Sequence, residues 1–367
     1  MKTERLFKTP LSDKQARNSE LNHIECNEGR TLLESCPRRI VFELTNKCNF
    51  QCIMCGREAV SFKTRDLPAA VVKACSPLLP FAEEVTLHGW GEGTLHPELA
   101  GILEYLNTFK LLRKYFVTNG STLPRITQAI FAHHVDLVAL SLDGAAPGTN
   151  DSIRKGGDLK RELRSIRKLL EEKERRGLDY PYVNFVFTAM KRNIMELPDM
   201  VSLAHSIGVP EVKAVYLTIF NESMAHESLL DMQGLVREVF TEARERAAKF
   251  NIKIKLPDIQ GECDAGALSH KPCAFPWRDL YIGSDAYLRP CQSSAEKLLD
   301  TALFSGFEEV WNSDEMQRLR ARVNDEALMS VNCRHCYHSS CANWNLKTSF
   351  FQAGREFAPE WGQSKAL

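Results

Sequence analysis

From residue 39 onward the chain repeats one unit six times: a short apolar run, then an amphipathic stretch of helical period. The runs are Arg39–Thr45, Glu84–His88, Lys114–Thr118, Asp136–Leu142, Tyr182–Thr188 and Val212–Leu217, and the helical stretches lie near 68–79, 96–109, 123–133, 158–176, 197–206 and 231–250. Strands separated by helices predict parallel pairing through right-handed crossovers, so the class expected is α/β. In an α/β barrel the working side chains come from the C-terminal ends of the strands.

Composition removes several functions. Among 367 residues, 47 are Lys or Arg and 47 are Asp or Glu, a net charge of zero that gives no footprint for nucleic acid. The first 25 residues are polar and charged, without the apolar core of a secretory signal. No run approaches the roughly 18 apolar residues of a membrane-spanning helix. Twelve cysteines in metal-like groups fit a reducing cytoplasm, where thiolates stay free to bind iron. The interleaved charges of 160–176 read as a solvated helix face.

The densest chemical signal sits just past the first apolar run. Cys48, Cys52 and Cys55 have the spacing C-x3-C-x2-C, with Gly56 next. Three thiolates so close can wrap one face of an iron–sulfur cluster. Clusters usually take four cysteines, so three leave one iron of a [4Fe–4S] cube without a protein ligand. Structural zinc prefers paired knuckles, and no second pair is near. A c-type haem site needs His where Gly56 stands, and disulfides suit small secreted chains.

The pattern resembles the signature of the radical S-adenosylmethionine (SAM) superfamily, and further elements of that family follow in order. The resemblance implies that the open iron binds the SAM amino and carboxylate groups, and that the reduced cluster cleaves SAM to a 5′-deoxyadenosyl radical. After strand two comes His88-Gly89-Trp90-Gly91-Glu92-Gly93. Gly91 and Glu92 match the end of the family's Gly-Gly-Glu element, which holds the SAM amino group. Trp90 departs from its first glycine, and Gly93 from a common proline. The resemblance gives Ser141 to the SAM ribose and Arg154 to the SAM carboxylate, for which a guanidinium fork is suited. Met54 stands where the family packs a residue against adenine, and Asn184, with Thr188, offers a SAM-side polar contact on strand five. Thr118-Asn119-Gly120 matches a substrate-side element and equally an Asn-Gly turn. No side chain is singled out as catalytic.

A second cysteine set follows residue 260. Cys273 and Cys291 bracket a hairpin with its turn near Gly283–Ala286, and a helical stretch, Phe307–Ser313, precedes Cys333-Arg334-His335-Cys336 and Cys341. On spacing alone zinc is a rival. The order resembles the SPASM/twitch extension of radical SAM enzymes, which carries auxiliary [4Fe–4S] clusters. One auxiliary cluster is expected on Cys273, Cys291, Cys333 and Cys336, with Cys341 and Cys263 as substitutes or a partial second set. Cys26, Cys36 and Cys75 are expected to be ordinary thiols.

The organisation expected is an irregular N-terminal extension over 1–38, a partial (β/α)6 TIM-like barrel over 39–250, a small α+β iron–sulfur domain over 251–345 and a tail over 346–367. The resemblance implies an oxidoreductase-type enzyme that takes an electron from flavodoxin or ferredoxin and abstracts hydrogen from a substrate. The leading expectation is oxidation of a small sugar-like or amino-acid metabolite, with the auxiliary cluster accepting an electron. The alternatives are cross-linking or epimerisation of a ribosomal peptide, disfavoured because 1–38 shows no winged-helix recognition region, and an inactive cluster-bearing protein.

Overall fold

The structure, a computed structural model, describes residues 11–59, 63–110, 112–220, 222–260, 273–291, 294, 296–303, 306–330 and 333–334. All six expected strands form: β1 (Arg39–Phe42), β2 (Glu84–Leu87), β3 (Arg113–Thr118), β4 (Leu137–Ser141), β5 (Tyr182–Ala189) and β6 (Glu211–Tyr216). They stand in sequence order and every neighbouring pair is parallel. A helix α1 (Asp13–Asn27) precedes them, and α2 (Ala69–Ala74), α3 (Leu99–Leu106), α4 (Leu123–Ala132), α5 (Pro147–Ile153), α6 (Leu159–Arg175), α7 (Leu197–Ile207) and α8 (Gln233–Phe250) follow in turn. This is the partial TIM-like barrel.

Strand alternation divides the sheet's two faces. One parity, including Ile40, Phe42, Val85, Phe116, Phe185 and Val212, is buried in the main core with Ile130, Ile166, Val201 and Phe240 of the helices. Each such side chain contributes about 1.5–3 kcal/mol on burial. The other parity faces the interior of the barrel. There Tyr115, Val117, Ser141, Val186, Thr188 and Val215 are only half-buried while the residues between them are buried. The inner face is therefore reached by solvent and carries polar side chains.

The sheet continues past the six strands. β7 (Lys253–Lys255) pairs parallel with β6, three residues beyond the expected barrel limit at 250. At the other edge β8 (Asp279–Ile282) pairs parallel with β1, and β9 (Tyr287–Arg289) and β10 (Leu299–Asp300) extend it antiparallel. The expected hairpin is thus present, with Gly283 N donating to Tyr287 O at 2.9 Å, but it is stitched into the barrel sheet. The expected helix after it appears as α10 (Phe307–Trp311), preceded by the short α9 (Phe275–Arg278) and followed by α11 (Asp314–Arg322).

The N-terminal stretch corrects the expectation of an irregular extension. Ser12 and Gln15 form a capping box at the start of α1. Its buried residues are Gln15, Asn18, Asn22 and Glu25, all polar, so apolar periodicity could not reveal it. Each bonds outside the helix: Gln15 Nε2 donates to Ala82 O at 2.7 Å, Asn22 Nδ2 to Trp277 O at 2.5 Å, and Glu25 accepts from Glu34 N at 2.7 Å. In return Trp277 Nε1 donates to Arg30 O at 2.7 Å, Trp311 Nε1 to Ser35 O at 2.8 Å and Arg320 Nη1 to Thr31 O at 2.8 Å. This segment brackets the barrel to the C-terminal elements. Cys75 is buried just past α2, and burial pushes its thiol well up, as for an inert core residue.

Candidate cofactor site

The three cysteines lie on the loop leaving β1, at the barrel's C-terminal rim, and all are half-buried. The loop is pinned by a small antiparallel ladder in which Gln51 pairs with Lys155 and Cys52 with Arg154. Ile53 N donates to Ile153 O at 3.0 Å, and Cys55 N to Cys52 O at 3.1 Å. The ladder brings Arg154 Nη1 to 3.9 Å from the Cys52 sulfur. Burial pushes the Cys52 thiol up to about 11, with Arg154 pulling it down, and burial also raises Cys48, against a bond from Phe50 N–H at 3.5 Å. Ligation must therefore displace thiol protons.

Arg154 is fully engaged on one side only. Its Nη2 is 2.7 Å from Asp143, whose other oxygen accepts from Thr188 N at 2.7 Å. Both side chains are buried. Arg154 Nε has no hydrogen-bond partner among the described residues. Asp143, not singled out by the sequence, is the residue that aims Arg154. The Leu142-Asp143-Gly144 run at the end of β4 was its only signal.

Glu92 gathers three loops. Its carboxylate accepts from Thr94 N at 3.2 Å, Thr118 Oγ1 at 2.8 Å and Asn119 N at 2.7 Å, and from the Thr94 hydroxyl. Burial raises its pKa against these bonds. Asn119 Nδ2 reaches Asn49 of the cysteine loop at 3.0 Å, so Thr118-Asn119-Gly120 supports that loop. The glycines before Glu92 serve the chain's own backbone. A Cβ on Gly91 would lie 2.3 Å from Thr45 O and 2.6 Å from Lys47 O, and one on Gly89 would strike Glu43. Glu92 N donates to Lys47 O at 2.7 Å across that close approach. Trp90 packs edge-on against Phe220 at 5.2 Å.

Met54 packs with Ile53 against a separate apolar cluster of Ile153, Met190, Leu217, Ile219 and Met224. Ser141 is half-buried on the inner face at the end of β4, paired with Val186. Asn184 is on the same face, two residues nearer the barrel floor, and donates to Glu211 at 3.0 Å.

In the C-terminal part Cys273, Cys291 and Cys333 are half-buried. Asn324 clamps Cys273, accepting from its N at 2.7 Å and donating to its O at 3.2 Å. Cys333 and Cys273 both pack against the edge of the main core. Cys336, Cys341 and Cys263 lie outside the described residues. Among the described residues, no three His, Cys, Asp or Glu side chains converge on a site for one metal ion.

Two family models match. Residues 42–189 match the radical SAM superfamily, and residues 273–337 match SPASM, an iron–sulfur cluster-binding domain. The chain belongs to the radical SAM superfamily. Such domains carry a SAM-binding [4Fe–4S] cluster and auxiliary iron–sulfur clusters. A protein described as a probable GTP 3′,8-cyclase in Methanocaldococcus jannaschii is 25% identical over 276 residues, 72% of this chain and 87% of that protein. The AdoMet-dependent heme synthase of Methanosarcina barkeri is 29% identical over 189 residues, 50% of this chain and 52% of that one. The mycofactocin maturase MftC of Mycobacterium tuberculosis is 27% identical over 177 residues, 47% of this chain and 43% of that one. The fold is shared with Streptococcus suis SuiB bound to S-adenosylmethionine, at TM-score 0.61 and 13% identity, covering 88% of this chain and 77% of that chain. It is shared also with anSMEcpe bound to AdoMet, at TM-score 0.60 and 15% identity, covering 79% and 84%.

The radical SAM barrel's own residues fit such a cofactor. Three half-buried thiols share one loop, a buried guanidinium beside them keeps Nε free for an acceptor, and an apolar cluster flanks Met54. No helix among the described residues is long and apolar enough to cross a membrane.

Proposed function

We propose that Cys48, Cys52 and Cys55 hold the SAM-binding cluster, and that Arg154, Glu92, Gly91, Ser141 and Met54 place SAM beside it. The Cys52–Arg154 pairing, which joins the cysteine loop to the residue after α5, carries this reading. Arg154 would present Nε to the SAM carboxylate while Asp143 fixes its plane. Glu92 would set the loop whose backbone receives the amino group, its Oε1 being already filled by the chain's own donors. Met54 and its apolar neighbours would exclude water from the adenine. Cys273, Cys291, Cys333 and Cys336 would hold an auxiliary cluster. When bound, these groups supply reductive cleavage of SAM to a 5′-deoxyadenosyl radical, which takes a hydrogen atom from substrate, and an acceptor for the substrate's second electron. The reductant is a flavodoxin or ferredoxin, and the compartment is the cytoplasm.

The substrate reading is oxidation of a small polar metabolite, sugar-like or amino-acid-like. It is supported by the polar, solvent-reached inner face and by the similarity, over 72% of this chain, to a protein named for a nucleotide. Peptide modification is the second reading, favoured by the similarity to a mycofactocin maturase.

Anaerobic reconstitution with iron and sulfide, then incubation with SAM and dithionite, tests the first step. Formation of 5′-deoxyadenosine is expected, with about eight irons per chain, four per cubane. No 5′-deoxyadenosine above background overturns the catalytic reading. About four irons with one zinc overturns the auxiliary cluster.

A further inference from the structure

The cysteine loop is held segment by segment, and the holding changes character along it. Its first half is tied by polar bonds. Arg57 donates to Cys48 O at 3.4 Å and to Phe50 O at 3.0 Å, Asn119 reaches Asn49 at 3.0 Å, and the ladder with 154–155 holds Gln51 and Cys52. Around Ile53 and Met54 the cover becomes apolar. Met190 supplies it from the end of β5, and Leu217, Ile219 and Met224 from the chain that follows β6.

The last turn, Cys55–Gly56, is covered by two rings. Gly56 is buried, and a Cβ there would strike the Trp90 ring and lie 2.7 Å from the Phe220 ring. Glycine at 56 therefore lets both rings rest on the backbone that follows the third cysteine. The rings meet edge to face, with centroids 5.2 Å apart and planes at 71°. Both are half-buried over the buried glycine, so they form the outer layer at this corner of the loop.

Both rings are held from behind. Glu43 Oε1 accepts from Trp90 N at 2.7 Å, and Glu43 Oε2 accepts from Ser284 N at 2.9 Å and Ser284 Oγ at 2.8 Å, so the Trp90 backbone is fixed from β1 and from the C-terminal hairpin together. Phe220 follows Ile219, which is fully buried in the cluster that covers Met54. In the Gly-Gly-Glu element that this chain resembles, a glycine stands where Trp90 does, so the indole is this chain's own addition to the rim. The apolar shell of a metal site sets its dielectric and its access to water, and the potential of an iron–sulfur cluster follows its exposure to solvent.

We propose that Trp90 and Phe220 are shielding residues, an aromatic cover that completes the apolar shell of the rim cluster at its Cys55 corner. The inference rests on the reading that Cys48, Cys52 and Cys55 hold that cluster. The reduced cluster carries one more negative charge than the oxidised one, and apolar surroundings disfavour the added charge. The cover therefore holds the potential low, which makes the reduced cluster a stronger reductant toward SAM, and it keeps water and chelators from the irons. What the role asks of Trp90 is ring area, so another aromatic side chain serves in its place.

The test uses the full chain, reconstituted anaerobically, with two readouts that need no turnover. In the dithionite-reduced protein the EPR signal that shifts on adding SAM belongs to the rim cluster, and its midpoint potential is titrated. Iron release to bathophenanthroline is timed in the phase that SAM slows. Trp90→Gly should load wild-type iron, move the midpoint to a more positive potential and speed that release about tenfold or more. Trp90→Phe, which keeps a ring, should stay close to the wild type in both. Phe220→Ala should move both readouts in the same direction as Trp90→Gly, and it decides the matter if Trp90→Gly does not load iron. A wild-type midpoint and release rate in Phe220→Ala, or in iron-loaded Trp90→Gly, overturns the cover, and so does a Trp90→Phe that behaves like Trp90→Gly. A wild type with no SAM-sensitive signal would instead strike the cofactor reading.

Discussion

The two ends of the barrel handle buried charge differently. At the rim, carboxylates accept mostly from backbone N–H groups of loops. Glu43 takes Trp90 N at 2.7 Å and Ser284 N at 2.9 Å; Glu196 takes Ala145 N at 2.7 Å and Ala146 N at 3.1 Å; Glu92 and Asp143 take Asn119 N and Thr188 N, both at 2.7 Å. At the floor, Glu211 and Asp279 accept from side chains, chiefly Lys and Arg. A rim carboxylate fixes where a loop goes, so the loops arrive preorganised for a cofactor. A floor carboxylate neutralises the chain's own buried cations. Glu43 does more: it ties the Trp90 loop to Ser284 of the C-terminal hairpin, joining the barrel rim to the SPASM part.

Changes at the rim should act on SAM chemistry, and changes at the floor should not. The largest effect is expected from Cys48→Ala, Cys52→Ala or Cys55→Ala. Each removes one of three protein ligands from the proposed cluster, so 5′-deoxyadenosine formation should vanish, and about four irons should remain in the auxiliary cluster. Mössbauer or EPR spectra with iron counting check this. Wild-type iron in the triple variant would show that these thiols hold nothing, and the contrast between rim and floor would collapse.

Next is Glu92→Ala. It strands the donors of Thr94, Thr118 and Asn119 inside the protein, and buried donors left unmet cost about 1–3 kcal/mol each. A loss of at least about 3 kcal/mol in denaturant unfolding is expected, together with weaker SAM binding. Glu92→Gln should lose less, because one oxygen still accepts. If Glu92→Ala unfolds like the wild type yet binds SAM poorly, the carboxylate is a ligand contact first and a loop anchor second.

Arg154→Ala should weaken SAM binding about ten- to a hundredfold, the equivalent of one charge-assisted hydrogen bond at about 1.5–3 kcal/mol. Asp143→Asn should cost less, since it loosens the aim of Arg154 without removing it. Equilibrium binding of SAM to the reconstituted variants separates them. Equal losses would mean that the guanidinium's role is to neutralise Asp143.

What the sequence disclosed follows the same division. Strands β1 to β6 and their helices were legible because the outward parity is continuously apolar, as with Ile40 and Phe42 or Phe185 and Phe187. Cys48, Cys52, Cys55, Gly91 and Glu92 were legible as rim motifs on the loops that follow strands, and Arg154 through the family resemblance, since it follows helix α5. The floor was not. Lys213 lay unremarked within the run Val212–Leu217 and Glu211 just before it, because one sequence does not tell which parity faces inward. Helix α1 was hidden because it buries amides and a carboxylate. β7 was missed because Lys253 and Lys255 make it polar, although it closes on Glu211. The glycines of Gly89-Trp90-Gly91 give room to Glu43 and to the backbone of Thr45 and Lys47, contacts between distant segments that spacing alone does not show.

The smallest expected effect sharpens the comparison most, because its sign depends on pH. Folded Lys213 titrates near 7 against an ordinary lysine value of 10.5. Between those values the unfolded chain holds a proton that the folded chain has released, so stability rises with pH across that window. Below about 7 the ammonium carries its full burial cost, with Arg39 and Lys255 adding to it and Glu211 relieving part. Lys213→Met, which keeps the stem and drops the charge, should therefore be more stable than the wild type at pH 6.5, by about 1 kcal/mol for even a one-unit difference in titration. The gap should close as pH rises toward 9.5. Urea unfolding of both proteins at the two pH values measures all of this. A variant less stable than the wild type at both pH values would make Lys213 a structural cation like Lys255, and the floor would then differ from the rim only in which groups satisfy its carboxylates.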